Sequence, residues 1–445
     1  MERRRTVYDI TQGSLNRNIW DLAWPTMLSQ LVFMIPNLYD AVWLGKVGSG
    51  AQAAAGLATS VRVTMISVLM ALSGASGAVV ARYVGAKDQE NANLATLQGV
   101  ILMFVASGSL GLIGFVFAEP LMRLAGADSD VLPLAVRYAR VLFAGLIAME
   151  MVPSVGGMMS TVGAPQVRLT MMLWTTGVVL VAEPLLVNWL GLEGAVLALV
   201  GAHVVGTVWG IGELLAGRAS VRIDLHNLRL DFSMMGRILR ITWPGIFQRG
   251  IPNFGMTVLT RLISGYGSAT LDAWVVASRV FSFAQVPGMG VSRVSAAMVG
   301  QNLGAKQPKR AEDSVRVIAL TVAVTTGLIL GGLMLFAPAV MTLFSDDAES
   351  IAIGARIICV LSIGYLAQGV TWVFDAALGG AGDTVSPMMI NAVLWLIQIP
   401  FAYIFSKVFG MGANGLWLAM NIGWLVQLGM IQWRYQQGAW KLKQI

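Results

Sequence analysis

The chain has almost none of the side chains that enzymes use for metal-dependent or nucleophilic chemistry. Among its 445 residues it contains one cysteine, Cys359, and two histidines, His203 and His226. A single cysteine cannot form an internal disulfide or a cysteine-based metal site. No HExxH, GxSxG, Walker A or paired-cysteine motif is present. We therefore expect no metal site, no cofactor and no Ser-His chemistry.

Charged side chains are scarce as well. They make up 12% of the residues, against about 25% in a soluble domain, while 56% are hydrophobic and the mean hydropathy is +0.71. The net charge of +7 is explained by a basic face against anionic lipid, and no aromatic and basic module for nucleic acid is visible. The composition predicts a protein of the lipid bilayer that binds no nucleic acid.

Twelve apolar runs are long enough to cross a bilayer as helices, which takes about 20 residues each. They lie near 18–45, 54–80, 93–117, 132–160, 166–189, 193–215, 237–264, 270–298, 312–336, 351–379, 386–408 and 413–434. The predicted fold is an all-α polytopic membrane protein with twelve transmembrane helices, in two pseudo-symmetric six-helix bundles around a central cavity.

The longest polar segment separates the two sets of six runs, and it is either a surface linker or an amphipathic helix at the membrane interface. The predicted domains are a cytoplasmic N-terminal segment 1–17, an N-terminal lobe 18–216, a cytoplasmic linker 217–236, a C-terminal lobe 237–435 and a cytoplasmic tail 436–445.

An internal repeat supports this division. Trp24-Pro25 recurs as Trp243-Pro244, Gly85-Ala86-Lys87 as Gly304-Ala305-Lys306, and Gly163 as Gly382, always 219 positions later. Two homologous membrane bundles most often form a transporter around their shared interface. Gly85 and Gly304 are also expected to take the left-handed conformation that ends many helices.

Basic residues concentrate in the even-numbered breaks between the spans, as Arg82, Lys87, Arg168, Lys306 and Lys309 illustrate. Cytoplasmic loops carry such an excess of Lys and Arg. The pattern predicts that both termini lie in the cytoplasm. We expect a monomer in the cytoplasmic (inner) membrane of a bacterium or archaeon.

Four acidic residues, Asp40, Glu150, Glu183 and Asp375, lie inside predicted spans, where ionisable groups are costly and mark functional sites by default. Asp40 and Glu183 share a depth near the outer ends of the first and fifth spans. If both helices face one cavity, the two carboxyl groups can load and release a coupling cation. Glu150 is either a substrate contact or proton relay, or a buried glutamate held by a hydroxyl group or water.

Two further sets of residues inside the spans have alternative interpretations. Arg249 and Asp375 have comparable depths in the second lobe, and they form either a structural ion pair or part of a transport site. Pro25 and Pro36 interrupt the first span, and Pro36 frees the backbone carbonyl of Val32. These prolines are either gating kinks or static packing features.

Several motifs resemble those of the multidrug and toxic compound extrusion (MATE) transporters. The run from Val299 to Ala311 is similar to that family's GQnlGA loop, and Gly380-Ala381-Gly382-Asp383-Thr384 is similar to its GaGDT turn. Pro25, Asp40 and the exit through Leu44, Gly45 and Gly48 have the family's order and spacing. The resemblance covers nearly the whole chain and indicates the DinF-like bacterial type.

The resemblance implies a secondary transporter that exports organic solutes in exchange for protons or sodium ions. It also implies that carboxylates of the first and fifth helices couple transport to the cation, and Asp40 and Glu183-Pro184 match these positions. Glu183 departs from the family's Asp, and Val179 departs from an Asn that is frequent there. The expected partners are small organic substrates and the lipid bilayer.

Two alternative functions remain open at this point. A lipid-linked precursor flippase of the same superfamily would favour a basic cavity, whereas the cavity predicted for the first lobe is acidic. An intramembrane enzyme acting on lipid would use the buried carboxylates as acid and base. The 25 methionines and 14 tryptophans suit either a promiscuous pocket or ordinary packing.

Overall fold

The computed structural model of the protein describes residues 9–217, 221–223, 229–344 and 346–443. The regular structure of this described part is entirely helical, so the predicted all-α fold is confirmed. In the first half the helices are α1 (Leu15–Val47), α2 (Ser49–Gly85), α3 (Gln89–Val116), α4 (Ala118–Leu124), α5 (Leu132–Ala144), α6 (Leu146–Thr161), α7 (Pro165–Leu190) and α8 (Leu192–Leu215). In the second half they are α9 (Phe232–Ser264), α10 (Ser268–Gly304), α11 (Pro308–Leu335), α12 (Ala337–Thr342), α13 (Ala348–Gly380), α14 (Val385–Tyr403), a π-helical turn (Ile404–Val408), α15 (Ala413–Gln436) and a 3-10 turn (Ala439–Leu442).

The helix bounds repeat with the spacing seen in the sequence. Helix α2 begins at Ser49 and ends at Gly85, and α10 begins and ends 219 positions later at Ser268 and Gly304. Helices α3 and α11 shift by the same 219 positions at both ends. The short helices α4 and α12 follow them in the same way. The internal repeat is therefore a repeat of structure.

Apolar composition varies among the long helices. Seven helices of the described residues are long and apolar enough to cross a membrane, and the number rises to eight if the bent pair α5 and α6 is one span. Helices α1, α9, α10 and α15 are not among these seven, although each matches a predicted span. The fourth predicted span, 132–160, is two helices that meet at Gly145 with a bend of 51°.

The chain divides into two compact units. Unit 1 contains residues 1–246 with 300–306, and unit 2 contains residues 247–299 with 307–445. Unit 1 has a core around Tyr138, Phe143 and Leu146. Unit 2 has a core around Phe281, Trp417 and Trp424. Each unit therefore has its own buried apolar centre.

The predicted linker 217–236 is shorter in the structure, because α9 already begins at Phe232. Its described residues run along α3, where Asn93 accepts a hydrogen bond from the Arg222 backbone and Gln98 donates one to the Arg229 carbonyl. Residues 218–220 and 224–228, which include Arg218 and His226, lie outside the described residues, as do 1–8 and 444–445.

The glycines of the repeated Gly-Ala-Lys loop have a different role from the one predicted. Gly85 and Gly304 are the last residues of α2 and α10, and the left-handed residues are Lys87, with φ 59°, and Lys306, with φ 58°. A Cβ atom on Gly85 would lie 1.9 Å from the Gln301 carbonyl oxygen. Close backbone contact, and not left-handed geometry, requires glycine at Gly85.

Candidate functional site

The structure brings the two predicted coupling acids together in unit 1. Helix α1 places Asp40 and α7 places Glu183, and the two carboxyl groups interact with each other. The Tyr39 hydroxyl group donates to the Leu180 carbonyl oxygen at 3.2 Å and so ties α1 to α7 beside the acids. Sequence depth alone suggested this meeting, and the packing of α1 against α7 produces it.

The acid pair is enclosed and lacks hydrogen-bond donors. Glu183 is fully buried and Asp40 is half-buried. In the described part of the chain, Asp40 Oδ1 and both carboxylate oxygens of Glu183 have no donor when the acids are ionised. Ionised carboxylates are acceptors only, so a hydrogen bond between them requires a proton on one of them. The arrangement is therefore suited to hold a proton or another small cation.

A buried ion pair lies in the same unit. Arg62 of α2 donates from Nη1 to Oε1 of Glu150 on α6 at 2.8 Å, and their side chains are 15% and 3% exposed. Glu150 is thus held by a guanidinium group. The sequence predicts either a substrate contact or proton relay, or a glutamate held by a hydroxyl group or water. The sequence does contain a signal for this contact, because Arg62 is a basic residue inside the predicted second span.

Two more polar side chains of unit 1 face this group of charges. Tyr138 of α5 is buried and interacts electrostatically with Asp40, Arg62 and Glu183. His203 of α8 interacts with Arg62, and its Nδ1 lies 2.7 Å from the Leu199 carbonyl oxygen. Because a carbonyl oxygen only accepts, Nδ1 of His203 carries a proton. His203 has no predicted role in the sequence, and no sequence motif points to Tyr138.

The prolines of α1 lie within one continuous helix. The Val32 carbonyl, which Pro36 deprives of its usual helical donor, is 3.5 Å from the Thr176 hydroxyl group of α7. The Pro25 carbonyl accepts a hydrogen bond from Ser29. Backbone groups around both prolines thus have side-chain partners, and the gating role of Pro25 and Pro36 stays a prediction.

Unit 2 holds the remaining predicted site residues. The charges of Arg249 and Asp375 interact, with Arg249 exposed and Asp375 half-buried. The contacts within the described part of unit 2 include no ion pair between them, so their pairing stays a prediction. Among the described residues, the closely placed acids Asp40 and Glu183 and the ion pair of Arg62 with Glu150 therefore lie in unit 1.

The chain also matches known proteins along most of its length. Residues 25–185 and 244–404 match the model of the MatE family, and both bounds shift by the 219 positions of the internal repeat. The probable multidrug resistance protein YpnP of Bacillus subtilis is 22% identical over 438 residues, covering 98% of each chain. The probable multidrug resistance protein NorM of Bradyrhizobium diazoefficiens is 26% identical over 445 residues, covering 95% of this chain and 93% of the other. The FAD transporter of Shewanella oneidensis is 24% identical over 429 residues, covering 93% of each chain.

Solved structures share the fold. A crystal structure of MATE in the bent conformation has a TM-score of 0.91 and 23% sequence identity, covering 98% of this chain and 99% of that chain. A crystal structure of MATE in the straight conformation has a TM-score of 0.90 and 23% identity, covering 98% of both chains. Because the family model matches both halves, the chain belongs to the MatE family of multidrug efflux transporters, and it is a membrane transporter rather than an enzyme.

Proposed function

We propose that this protein is a secondary active antiporter that expels amphipathic or cationic organic compounds in exchange for protons or sodium ions. Asp40 and Glu183 are the coupling carboxyl groups. The observation that carries the proposal is their contact in the interior of unit 1, where they lack other donors. The names of YpnP and NorM, both described as multidrug resistance proteins, support the class of cargo.

The acid pair offers a physical basis for coupling. With one bound proton, the two carboxyl groups share a hydrogen bond and hold α1 against α7. Loss of that proton leaves two neighbouring carboxylates, which repel each other strongly where water is excluded. The charge state of the pair thus biases the position of α1 relative to α7, and a gradient across the membrane can drive the change.

Reconstituted vesicles test this proposal directly. Vesicles containing the protein receive either a pH gradient or a sodium gradient, with a fluorescent organic cation as cargo. We expect Asp40→Asn and Glu183→Gln each to abolish gradient-driven transport. Asp272→Asn, which neutralises an exposed acid of α10, is the matched control and should transport normally. Full gradient-driven transport by both site variants would reject the assignment.

Bending of α1 at its prolines is the second part of the proposed cycle. Proline removes a helical hydrogen bond and is the most frequent cause of a helix kink. We expect Pro25→Ala or Pro36→Ala to slow transport without removing cation binding. Unchanged transport rates in both variants would show that the prolines are static packing features.

A flavin dinucleotide is a second candidate cargo, because one similar protein is named an FAD transporter. An anionic dinucleotide would have to approach a unit whose acid pair repels it and whose buried Arg62 is already bound by Glu150. We therefore expect the organic cation to be transported faster than FAD in the same vesicles. The reverse order would assign the dinucleotide as cargo.

Localisation and orientation are part of the proposal as well. The basic even-numbered breaks support an inner-membrane protein with both termini in the cytoplasm. A green fluorescent protein fused to the C-terminus should fold and fluoresce there. Activity of a periplasmic alkaline phosphatase fused at the same point would contradict this orientation.

A further inference from the structure

We propose that the first turn of α7 in unit 1 binds a phosphate group, which is held by the buried guanidinium group of Arg168 and by the N-terminal end of this helix. The site lies far from the acid pair, because Arg168 precedes Glu183 by 15 residues of the same helix, or about 22 Å. The phosphate group belongs either to an anionic lipid or to a soluble phosphate compound. This ligand is neither cargo nor coupling ion, and its binding does not depend on the proposed exchange mechanism.

Arg168 is a buried cation near the start of α7. Only 4% of the residue is exposed. Among the residues that the structure describes, its guanidinium group has neither a hydrogen bond nor an ion pair, and its Nε is fully enclosed. An arginine near the end of a membrane helix usually extends its charge into the water at the interface. An isolated buried charge is costly, so Arg168 requires an anion as its partner.

The side chain of Arg168 packs against α6 and points toward the start of α7. A Cβ atom on Gly156 of α6 would lie 2.8 Å from the Cγ of Arg168 and 3.2 Å from its Cβ, so the glycine makes room for this side chain. Long side chains of a helix extend back toward its N-terminus. The guanidinium group of Arg168 is therefore directed at the turn 163–165, from which α7 begins.

The N-terminal end of α7 attracts anions as well. Its N-cap residue is Ala164, whose side chain accepts no hydrogen bond, and Pro165 follows. The N-terminus of a helix carries a partial positive charge and is a frequent binding site for phosphate. A guanidinium group adds a planar set of donors that can bind two phosphate oxygens at once. The helix end and Arg168 therefore favour the same ligand.

The equivalent turn of unit 2 contains an anion of its own. Asp383 takes the position of Ala164 there, and it is 3% exposed. It accepts hydrogen bonds from the Ser386 hydroxyl group at 2.7 Å and from Lys443 at 2.9 Å. A buried carboxylate thus lies at the start of α14 with a basic side chain beside it. In unit 1 the basic side chain is Arg168 and Ala164 provides no carboxylate, so a bound phosphate group takes the place of Asp383.

Three variants test the site. Arg168→Gln removes the positive charge, whereas Arg168→Lys keeps it. Ala164→Asp places a carboxylate at the N-cap of α7, as unit 2 has one at Asp383, so that the chain itself occupies the site. The matched control is Arg222→Gln, which neutralises an exposed basic residue just after the end of α8, at the same end of unit 1.

Thermal unfolding in a maltoside detergent, which contains no phosphate, measures binding. One arm adds phosphatidylglycerol or its phosphate-free counterpart diacylglycerol, and the other adds sodium phosphate or sodium chloride at equal ionic strength. We expect a phosphate source to raise the Tm of the wild type, of Arg168→Lys and of Arg222→Gln by about 5 °C at saturation. Arg168→Gln and Ala164→Asp should not respond, and Ala164→Asp should have a higher Tm than the wild type without any addition.

The two arms distinguish the sources of the phosphate group. A response to phosphatidylglycerol alone assigns a lipid headgroup, as in other basic pockets between membrane helices, whereas a response to inorganic phosphate assigns a soluble compound. The inference is overturned if neither source raises the Tm of the wild type, or if the rise is the same in Arg168→Gln and Ala164→Asp. If Arg168→Gln does not fold, Ala164→Asp alone decides between these outcomes, because it leaves Arg168 in place.

Discussion

The two units share their helices but not their buried chemistry. Five ionisable residues of unit 1 each have an apolar or glycine counterpart 219 positions later: Asp40 and Leu259, Arg62 and Phe281, Tyr138 and Ile357, Glu150 and Gly369, Glu183 and Ala402. In unit 2, Leu259, Phe281, Ile357 and Ala402 are fully buried members of one apolar cluster. Buried charges destabilise a fold unless they are paired. Unit 1 thus contains the charged residues, while the equivalent positions of unit 2 belong mostly to an apolar core.

A second difference concerns a glycine that both units contain. At Gly145 of unit 1 the chain breaks into α5 and α6, whereas α13 runs unbroken through the equivalent Gly364. In unit 2, the Asn421 side chain accepts a hydrogen bond from the Gly364 backbone at 2.8 Å and donates one to the Val360 carbonyl at 2.6 Å. The equivalent of Asn421 in unit 1 is Ala202, which can do neither. The side-chain amide of Asn421 is thus bonded to α13 at the position where the equivalent chain of unit 1 is broken.

Exchanging one residue between the two units should have the largest effect on the protein. Leu259→Asp places an unpaired carboxylate in the core of unit 2 and should destabilise the protein by on the order of 3 kcal/mol or more. The reciprocal Asp40→Leu should fold normally and lose gradient-driven transport. Thermal unfolding and vesicle transport measure the two effects. Leu259→Asn separates charge from polarity, and a Leu259→Asp protein as stable as the wild type would show that unit 2 tolerates the charge.

The ion pair of unit 1 provides the next largest effect. Arg62→Met leaves Glu150 as a lone buried carboxylate and should cost about 3–5 kcal/mol. Arg62→Met with Glu150→Met copies the apolar character of Phe281 and Gly369 in unit 2 and should recover most of that loss. A double-mutant cycle of unfolding free energies measures the coupling. Additive single effects would mean that the 2.8 Å contact contributes nothing to stability.

Much of this fold is predictable from sequence, because apolar runs of about 20 residues in a membrane protein leave few alternatives to spanning helices. The break at Gly145 is not predictable from its own position, since the equivalent Gly364 lies in an unbroken helix, where its backbone amide donates to the distant Asn421 side chain. The contact between Asp40 and Glu183 followed from their common depth. The contact between Arg62 and Glu150 joins residues 88 positions apart and depends on how α2 packs against α6.

The amide bridge of unit 2 can be tested by making it resemble unit 1. Asn421→Ala removes both hydrogen bonds to α13 and leaves the Gly364 amide and the Val360 carbonyl with fewer partners. We expect a loss of about 1–3 kcal/mol, with faster amide hydrogen exchange near Gly364. Asn391→Ala, which removes the hydrogen bond between Asn391 and Gln427, is a control that should leave exchange near Gly364 unchanged. Unchanged exchange in Asn421→Ala would separate the bridge from the continuity of α13.

The smallest expected effect concerns the turn that precedes α7 in unit 1 and α14 in unit 2. This turn contains Ala164 in unit 1 and Asp383 in unit 2. Asp383 accepts a hydrogen bond from Lys443 at 2.9 Å and one from Ser386 at 2.7 Å. Burial by itself would raise the pKa of Asp383, but these hydrogen bonds and the positive charge of Lys443 outweigh it and hold the pKa below its ordinary value.

The lowered pKa of Asp383 fixes the direction of its pH dependence. The folded state favours the ionised carboxylate, so its contribution is complete above the ordinary pKa of about 4 and is lost as the pH falls through the folded-state pKa. Asp383→Ala, which copies Ala164 of unit 1, should therefore lower stability by about 1 kcal/mol at neutral pH. Its deficit relative to the wild type should shrink in acid. Asp346→Ala, at an exposed acid of unit 2, is the matched control for thermal unfolding across this pH range. A deficit that is independent of pH would show that Asp383 contributes through packing of the turn and not through its charge.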